Sequence, residues 1–276
     1  MLGKGQRCIR TGFFLAHAPD AVWLRFPGDC DFRIEFQHRR IHCFPVEGLS
    51  QESLAHTILN QVMPRVAAQA GKIVLHASAV HLSGATVAFT GPSGIGKSSL
   101  AARLCEAGAS LMADDGLVIE NEAEVLAIPA YPGLRLRHGT PLPPCPEGSE
   151  GTGAPSFRNK FIFNGEHLPF RFHDEPTPLK ALILLADGAK GKVEIERLSA
   201  RGAFETIASN CFRLDAGDRG RMVREFTQIT SLVDRLPVYR LSYPRIWAVI
   251  PSVIDRIKRV LHSPAPASMN KDSGDH

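Results

Sequence analysis

The sequence predicts an α/β protein whose core carries a mixed sheet built around a phosphate-binding loop, preceded by a small β-rich unit. Three observations carry that expectation. The octapeptide Gly91-Pro92-Ser93-Gly94-Ile95-Gly96-Lys97-Ser98 matches G-x-x-x-x-G-K-[ST] in full; the apolar run Thr86-Val87-Ala88-Phe89 leads into it and the helical-looking segment Ser98 to Cys105 leads out. That is the strand, loop and helix context the motif needs. Only Ser83-Gly84 separates the β-rich run Lys72 to Leu82 from the run Ala85 to Thr90. Two residues cannot make a parallel crossover, so the strand feeding the loop is expected to pair antiparallel with the one before it. Finally, the first fifty residues break into short apolar segments between Pro, Gly and Asp, the pattern of short strands.

With 276 residues, 44% of them apolar, the chain has the size of one large domain plus an attachment: residues 1–70 as the front unit and its linking helix, 71–262 as the core, and 263–276 as a disordered tail. A formal charge of +4 with no run of five or six like charges speaks against a nucleic-acid partner. The six cysteines, at positions 8, 30, 43, 105, 145 and 211, show neither C-x-x-C nor a Cys/His spacing suited to zinc and read as reduced thiols. The first eight residues lack an apolar signal core and no window approaches the ~18 apolar residues of a membrane span, so a cytoplasmic protein is expected.

In chain order, Phe13-Phe14-Leu15, Ala21 to Phe26 and Phe32 to Phe36 read as strands of the front unit. Leu54, Ile58, Leu59, Val62 and Val66 then recur at helical spacing behind Ser50-Gln51-Glu52-Ser53, with Pro64 expected to kink or end that helix. After the loop and its helix, Ser110-Leu111-Met112-Ala113 reads as a short strand with Asp114-Asp115-Gly116 at its carboxyl end, where α/β sheets bind ligands. The Pro-, Gly- and basic-rich stretch from Ile128 to Gly153 reads as a short strand and a mobile loop of lid length. Strands are expected at Phe161-Ile162-Phe163, Leu179 to Leu185 and Val193-Glu194-Ile195. Two closing helices are expected: Arg219 to Leu236, with Met222, Val223, Phe226, Ile229 and Val233 on one face, and Arg245 to Leu261 around Trp247, Ile250, Ile254 and Ile257.

The loop's chemistry is specific. Glycines at 91, 94 and 96 allow positive φ and bring backbone N–H groups to phosphate oxygens, and the helix that follows offers the positive end of its dipole. Residues Gly91, Pro92, Ser93, Gly94, Ile95, Gly96, Lys97, Ser98 and Ser99 are therefore the candidate nucleotide site, with Lys97 reaching the β and γ phosphates and the Ser98 hydroxyl ligating Mg²⁺. ATP is the default nucleotide: the N-K-x-D base reader of a GTPase is absent, since Asn159-Lys160-Phe161-Ile162 lacks the Asp, and no L-S-G-G-Q follows the loop. The acidic pair starts seventeen residues after Lys97. One member can accept a hydroxyl proton while the other orients or ligates Mg²⁺. Arg135, Arg137 and Lys160 are candidate phosphate or substrate contacts.

The pattern Leu75-His76-Ala77, then Gly91 to Ser98, then Gly108-Ala109-Ser110-Leu111-Met112-Ala113-Asp114-Asp115 resembles the catalytic domain of HPr kinase/phosphorylase. There a His fifteen residues ahead of the loop and an Asp-Asp twenty-three residues past its first glycine frame the site, and both spacings occur here. Pro178-Leu179-Lys180-Ala181 and Leu236 to Leu241 resemble the smaller HPr kinase-related proteins of bacteria, some of which are tailoring kinases of lasso-peptide precursors. The resemblance implies a P-loop kinase core of the HPr kinase/PEP carboxykinase type. It further implies Asp114 as the general base for a serine hydroxyl, Asp115 as its metal-side support, Lys97 and Ser98 on phosphate and Mg²⁺, and His76 beside the phosphates. Related enzymes assemble through the core, which leaves a homo-oligomer open. Two departures stand out: Ser99 occupies the place of the usual acidic residue after Lys-Ser, and Pro132-Gly133-Leu134-Arg135-Leu136-Arg137 stands where Glu-x-Arg-Gly-Leu-Gly is usual. Phosphorylase activity is therefore not expected, nor is HPr itself as the substrate. The functional expectation is an ATP-dependent kinase acting on a serine hydroxyl of a peptide or small protein, such as a ribosomal peptide precursor. A small-molecule kinase and a non-catalytic ATP-binding regulator are the alternatives.

Overall fold

Alternating apolar positions in the first forty-five residues build an antiparallel meander. The strands β1 (Arg7–Ile9), β2 (Phe13–His17), β3 (Val22–Phe26), β4 (Cys30–Glu35) and β5 (Arg40–Pro45) pair in sequence order. The inward residues Phe13, Leu15, Leu24, Phe26, Phe32 and Ile34 are buried and pack on Val62 and Leu214. The computed structural model describes residues 7–9, 12–137, 160–165, 168–187 and 191–262. The loop expected beyond Arg137 and the tail 263–276 lie outside the described residues.

The linking helix starts where expected, with the Ser50 hydroxyl accepting from the Ser53 amide. Pro64 does not stop the chain from being helical, but the α-helical hydrogen-bond pattern is interrupted just ahead of it. The helix α1 (Gln51–Thr57) passes through a π-helical stretch, Ile58–Val62, into α2 (Met63–Gln69), whose first turn holds the proline. The chain stays helical through Val62 and Met63, with the Met63 amide on the Ile58 carbonyl, so the wider π register just ahead of Pro64 accommodates its ring and its missing N–H.

The run expected as one strand from Lys72 to Leu82 is split at His76. Its first part, β6 (Ile73–Leu75), pairs with β10 (Leu117–Asn121), and its second, β7 (Ala77–Leu82), pairs with β8 (Ala85–Thr90) and β9 (Ser110–Ala113). The β7/β8 hairpin closes antiparallel with Leu82 opposite Ala85, and Ser83 (φ 54°) and Gly84 (φ 81°) both take the positive φ that a two-residue turn of the primed type requires. The sheet is mixed, because β14 (Thr177–Ala186) runs parallel to both β8 and β16 (Val238–Ser242) while its first residues pair antiparallel with β11 (Val125–Ile128). The strand β15 (Glu194–Arg197) closes the far edge on β16. A hairpin of β12 (Gly133–Arg137) and β13 (Lys160–Asn164) stands apart from the main sheet.

Helices cover both faces. On one, Val87 and Phe89 of β8 and Ile183 and Leu185 of β14 pack on α3 (Lys97–Glu106) and α6 (Ile250–His262); on the other, Ala88 and Leu182 pack on α4 (Ala200–Asn210) and α5 (Arg219–Val233). Fully burying a side chain such as Phe89 contributes roughly 1.5–3 kcal/mol, so this two-sided core is what fixes β8 and the loop it feeds.

Three expectations need correction. The helix α4, capped by Ser199 on the Gly202 amide, was not foreseen, because Gly202 and Thr206 dilute its helical pattern. The buried face of α5 is Arg221, Glu225, Ile229 and Leu232, while Val223 and Phe226 are exposed. Two charged residues displace the apolar ones because each finds partners inside: Glu225 accepts from Arg213 Nε at 2.9 Å, and Arg221 Nη2 donates to the Lys72 carbonyl at 3.1 Å. The last helix starts at Ile250, not Arg245, and Trp247 lies in a short 3₁₀ turn, Trp247–Val249, with 49% of its surface exposed. Among the described residues no helix is long and apolar enough to cross a membrane.

Candidate functional site

The Gly91–Gly96 loop joins the buried strand β8 to the first turn of α3. Gly91 has φ +133°, and a Cβ on it would meet the Leu185 carbonyl oxygen at 3.0 Å, so no other residue fits there without moving the neighbouring strand. Gly94 (φ 84°) and Gly96 (φ 103°) complete a curve in which the Ile95 amide bonds the Pro92 carbonyl and α3 begins at Lys97. Lys97 is buried, and its Nζ donates to the Gly91 carbonyl at 2.9 Å and the Pro92 carbonyl at 3.3 Å. The amine is thus held over the concave side of the loop by the loop's own carbonyls.

The acidic pair ends β9, and its two carboxylates face different surroundings. Asp114 is 4% exposed; its Oδ1 accepts from Ser78 Oγ at 2.6 Å and from Ser98 Oγ at 2.8 Å, and its Oδ2 from the Arg135 amide at 3.0 Å. Burial, and next the charge of Asp115, push its carboxyl up to about 6 against the lowering effect of those donors. Asp115 adopts φ 65°, a left-handed conformation that Asp tolerates better than most residues, and its Oδ2 accepts from Arg135 Nη1 at 2.8 Å. Behind the turn, a Cβ on Gly116 would meet Pro64 Cγ at 3.3 Å, so the linking helix lies directly against the acidic turn.

His76 sits at the break between β6 and β7. Its Nδ1 is 3.0 Å from the Asp115 carbonyl oxygen, which makes Nδ1 the protonated nitrogen, and its own carbonyl accepts from Thr90 Oγ1 at 3.0 Å. His76, Asp115 and Arg135 form one wall of a small cavity of about 50 Å³, and Ser93, Gly94, Gly96, Lys97, Ser98 and Ser99 form the other. Asp114 is not in that lining; it lies behind Ser98. Among the expected contacts Arg135 is therefore at the cavity, whereas the side chains of Arg137 and Lys160 lie outside the described residues, their backbones pairing across the β12/β13 hairpin.

A wider cleft of about 570 Å³ shares Ser93, Gly94, Gly96 and Ser99 with the small cavity and runs outward to Tyr243, Arg245, Ile246 and Trp247. The Arg103 guanidinium lies 4.3 Å from the Trp247 ring centre on one side, and Arg245 lies 4.5 Å from the Tyr243 ring. Sequence reasoning missed this wall because Trp247 fits a helical apolar pattern; Pro251, which a helix tolerates only in its first turn, is the signal that could have exposed it, because it moves the helix start past Trp247. It also missed Ser78, and the pair Asn60 and Tyr131, whose side chains bond to each other at 2.7 Å and 2.9 Å.

Among the described residues no three His, Cys, Asp or Glu side chains gather into a metal cage. The donors beside the loop, the Ser98 hydroxyl and two carboxylates, are all oxygen. That set suits Mg²⁺, which binds through one or two protein oxygens together with phosphates and water.

No family model matches the chain, and no curated protein matches it. Among solved structures it is similar to the Hpr(Ser) kinase/phosphatase from Coxiella burnetii, at a TM-score of 0.38 and 14% identity, over 67% of this chain and 94% of that one. At that TM-score the likeness carries no weight, and the chemistry rests on the residues of this chain.

Proposed function

We propose that this protein is an ATP-dependent kinase that transfers the terminal phosphoryl group to a hydroxyl, with a serine of a peptide or small protein as acceptor. The observation that carries the reading is the facing of Lys97 and Ser98, at the start of α3, against Asp115, His76 and Arg135 across one small cavity. One wall offers a lysine, backbone N–H groups and a hydroxyl suited to phosphate and metal. The other offers a carboxylate, an imidazole and a guanidinium.

The nucleotide's phosphates lie along the loop, and its base lies in the outer cleft against Trp247. Ser98 would hold Mg²⁺, which when bound would supply neutralisation of the phosphate charge. The two carboxylates divide the remaining work. Asp114, which accepts the hydrogen bond of the Ser98 hydroxyl, orients that group so that its lone pairs would face a metal ion. Asp115 faces the cavity and is the base for the incoming hydroxyl, which exchanges the roles that the resemblance implies. Arg135 holds Asp115 and adds positive charge beside the transferred group.

The test is incubation of the purified protein with ATP, Mg²⁺ and two acceptor panels, serine-containing peptides and free hydroxyl metabolites, followed by intact-mass measurement. A gain of one phosphate on a peptide, absent in Lys97→Met, is expected. Phosphate gained only by metabolites makes it a small-molecule kinase. ATP binding with no phosphoproduct makes it a non-catalytic nucleotide-binding protein, and no ATP binding ends the reading.

A further inference from the structure

The front sheet reaches the phosphate cavity through a buried arginine. Arg65 of α2 is 5% exposed, and among the described residues no carboxylate pairs with it. Its Nη1 donates to the Gln61 carbonyl at 2.6 Å and to Gln61 Oε1 at 3.1 Å, while its Nε is buried without a partner. What surrounds the guanidinium is aromatic: its central carbon is 4.4 Å from the centre of the Phe13 ring and 5.2 Å from that of Phe212. Phe13 belongs to the core of the front sheet, and Phe212 follows α4. Burial holds the arginine's proton less tightly than usual, at about 10, which still leaves it charged.

Phe212 in turn meets His76 edge-on, with ring centres 5.8 Å apart and planes at 81°. The backbone around it is laced to the same place: the His76 amide donates to the Asn210 carbonyl and the Phe212 amide to the Val74 carbonyl, both at 2.8 Å. Two residues on, Leu214 is buried in the front sheet's own core, and Asp215 accepts from His17 Nε2 at 2.9 Å.

The geometry points to Arg65 as a positioning residue for His76: clamped between Phe13 and Phe212, it fixes the ring that walls the imidazole, so the packing of the front sheet is felt at the phosphate cavity. A guanidinium suits this place because it is planar, weakly hydrated and stacks on aromatic rings, whereas an ammonium is a compact, strongly hydrated charge and a thioether carries none. With the clamp released, Phe212 gains freedom to turn and the imidazole loses one of the walls that align its Nδ1–H with the Asp115 carbonyl.

The test reads the imidazole directly, at one pH above the ordinary histidine range, by ¹⁵N-edited NMR of ring-labelled His76. The wild type is expected to show a single Nδ1–H tautomer. Arg65→Met and Phe212→Leu are expected to show a mixture of both tautomers, and Arg65→Lys is expected not to restore the single form. Circular dichroism and the melting temperature check that the variants are folded. A folded Arg65→Met protein with the wild-type tautomer overturns the inference, as does a wild type in the Nε2–H form. If Arg65→Met does not fold, Phe212→Leu decides by the same criterion. No nucleotide or acceptor enters the measurement, so failure here is distinct from failure of the kinase reading.

Discussion

Ser98 Oγ donates to Asp114 Oδ1 across 2.8 Å, tying the first turn of the helix after the glycine loop to the end of β9. The bond sets which lone pair of the hydroxyl is left for a cation. Asp114 thus meets the cavity through Ser98, whereas Asp115 lines it.

The two aspartates are therefore expected to fail differently. Asp114→Asn should lower ATP affinity measured with Mg²⁺ toward the value measured in a chelator, about tenfold or more. Asp115→Asn should leave affinity within about twofold and lower turnover by roughly 10²–10⁴, the usual contribution of a positioned base. Calorimetry and single-turnover kinetics check this. The opposite pattern returns the base role to Asp114.

Gly91→Ala is expected to lose both stability and ligand. Its φ of +133° is strained for any residue with a Cβ, and the Leu185 carbonyl blocks the added methyl. A cost of about 1–3 kcal/mol follows from the backbone strain alone. A fall in melting temperature, with loss of the ATP-induced rise in it, is the measurement.

Trp247→Ala should weaken ATP about tenfold, since stacking a base on an aromatic side chain is worth roughly 1–3 kcal/mol. Inorganic triphosphate, which has no base, should bind as before. Equal losses for both ligands would place the base elsewhere.

His81 and His173 stack face to face, with ring centres 4.1 Å apart and planes at 10°, and the buried His81 Nδ1 has no partner. Burial, and secondly the charge of His173, lower the His81 pKa in the folded protein. The folded state thus favours the neutral ring: its stability contribution is full above the unfolded histidine value of about 6.5 and is lost as pH falls through the lower folded value. Melting temperature should drop between pH 7 and pH 5 more steeply in the wild type than in His81→Phe. Parallel slopes would remove His81 as a source.

Much of the site was legible because it is local. The loop, its flanking strand and helix, the two-residue hairpin and the acidic pair each follow from residues adjacent in the chain, whose φ preferences and turn geometry operate over a few positions. Side chains that depend on distant partners were misread. Phe226 and Val223 look like core residues by period, yet Arg221 and Glu225 take the inside, because Arg213 and the Lys72 carbonyl wait there for them. Trp247 looks like helix core until Pro251, tolerated only in a first turn, is weighed.

The amino-acid order by itself determined a mixed α/β chain with a glycine loop opening onto a helix, since steric limits on φ and the reach of a two-residue turn leave little choice. Only the tertiary structure decided which aspartate meets the cavity, that Trp247 faces a cleft, and that a buried arginine links the front sheet to His76. Those outcomes depend on which segments, remote in sequence, close against one another, and no local periodicity encodes that.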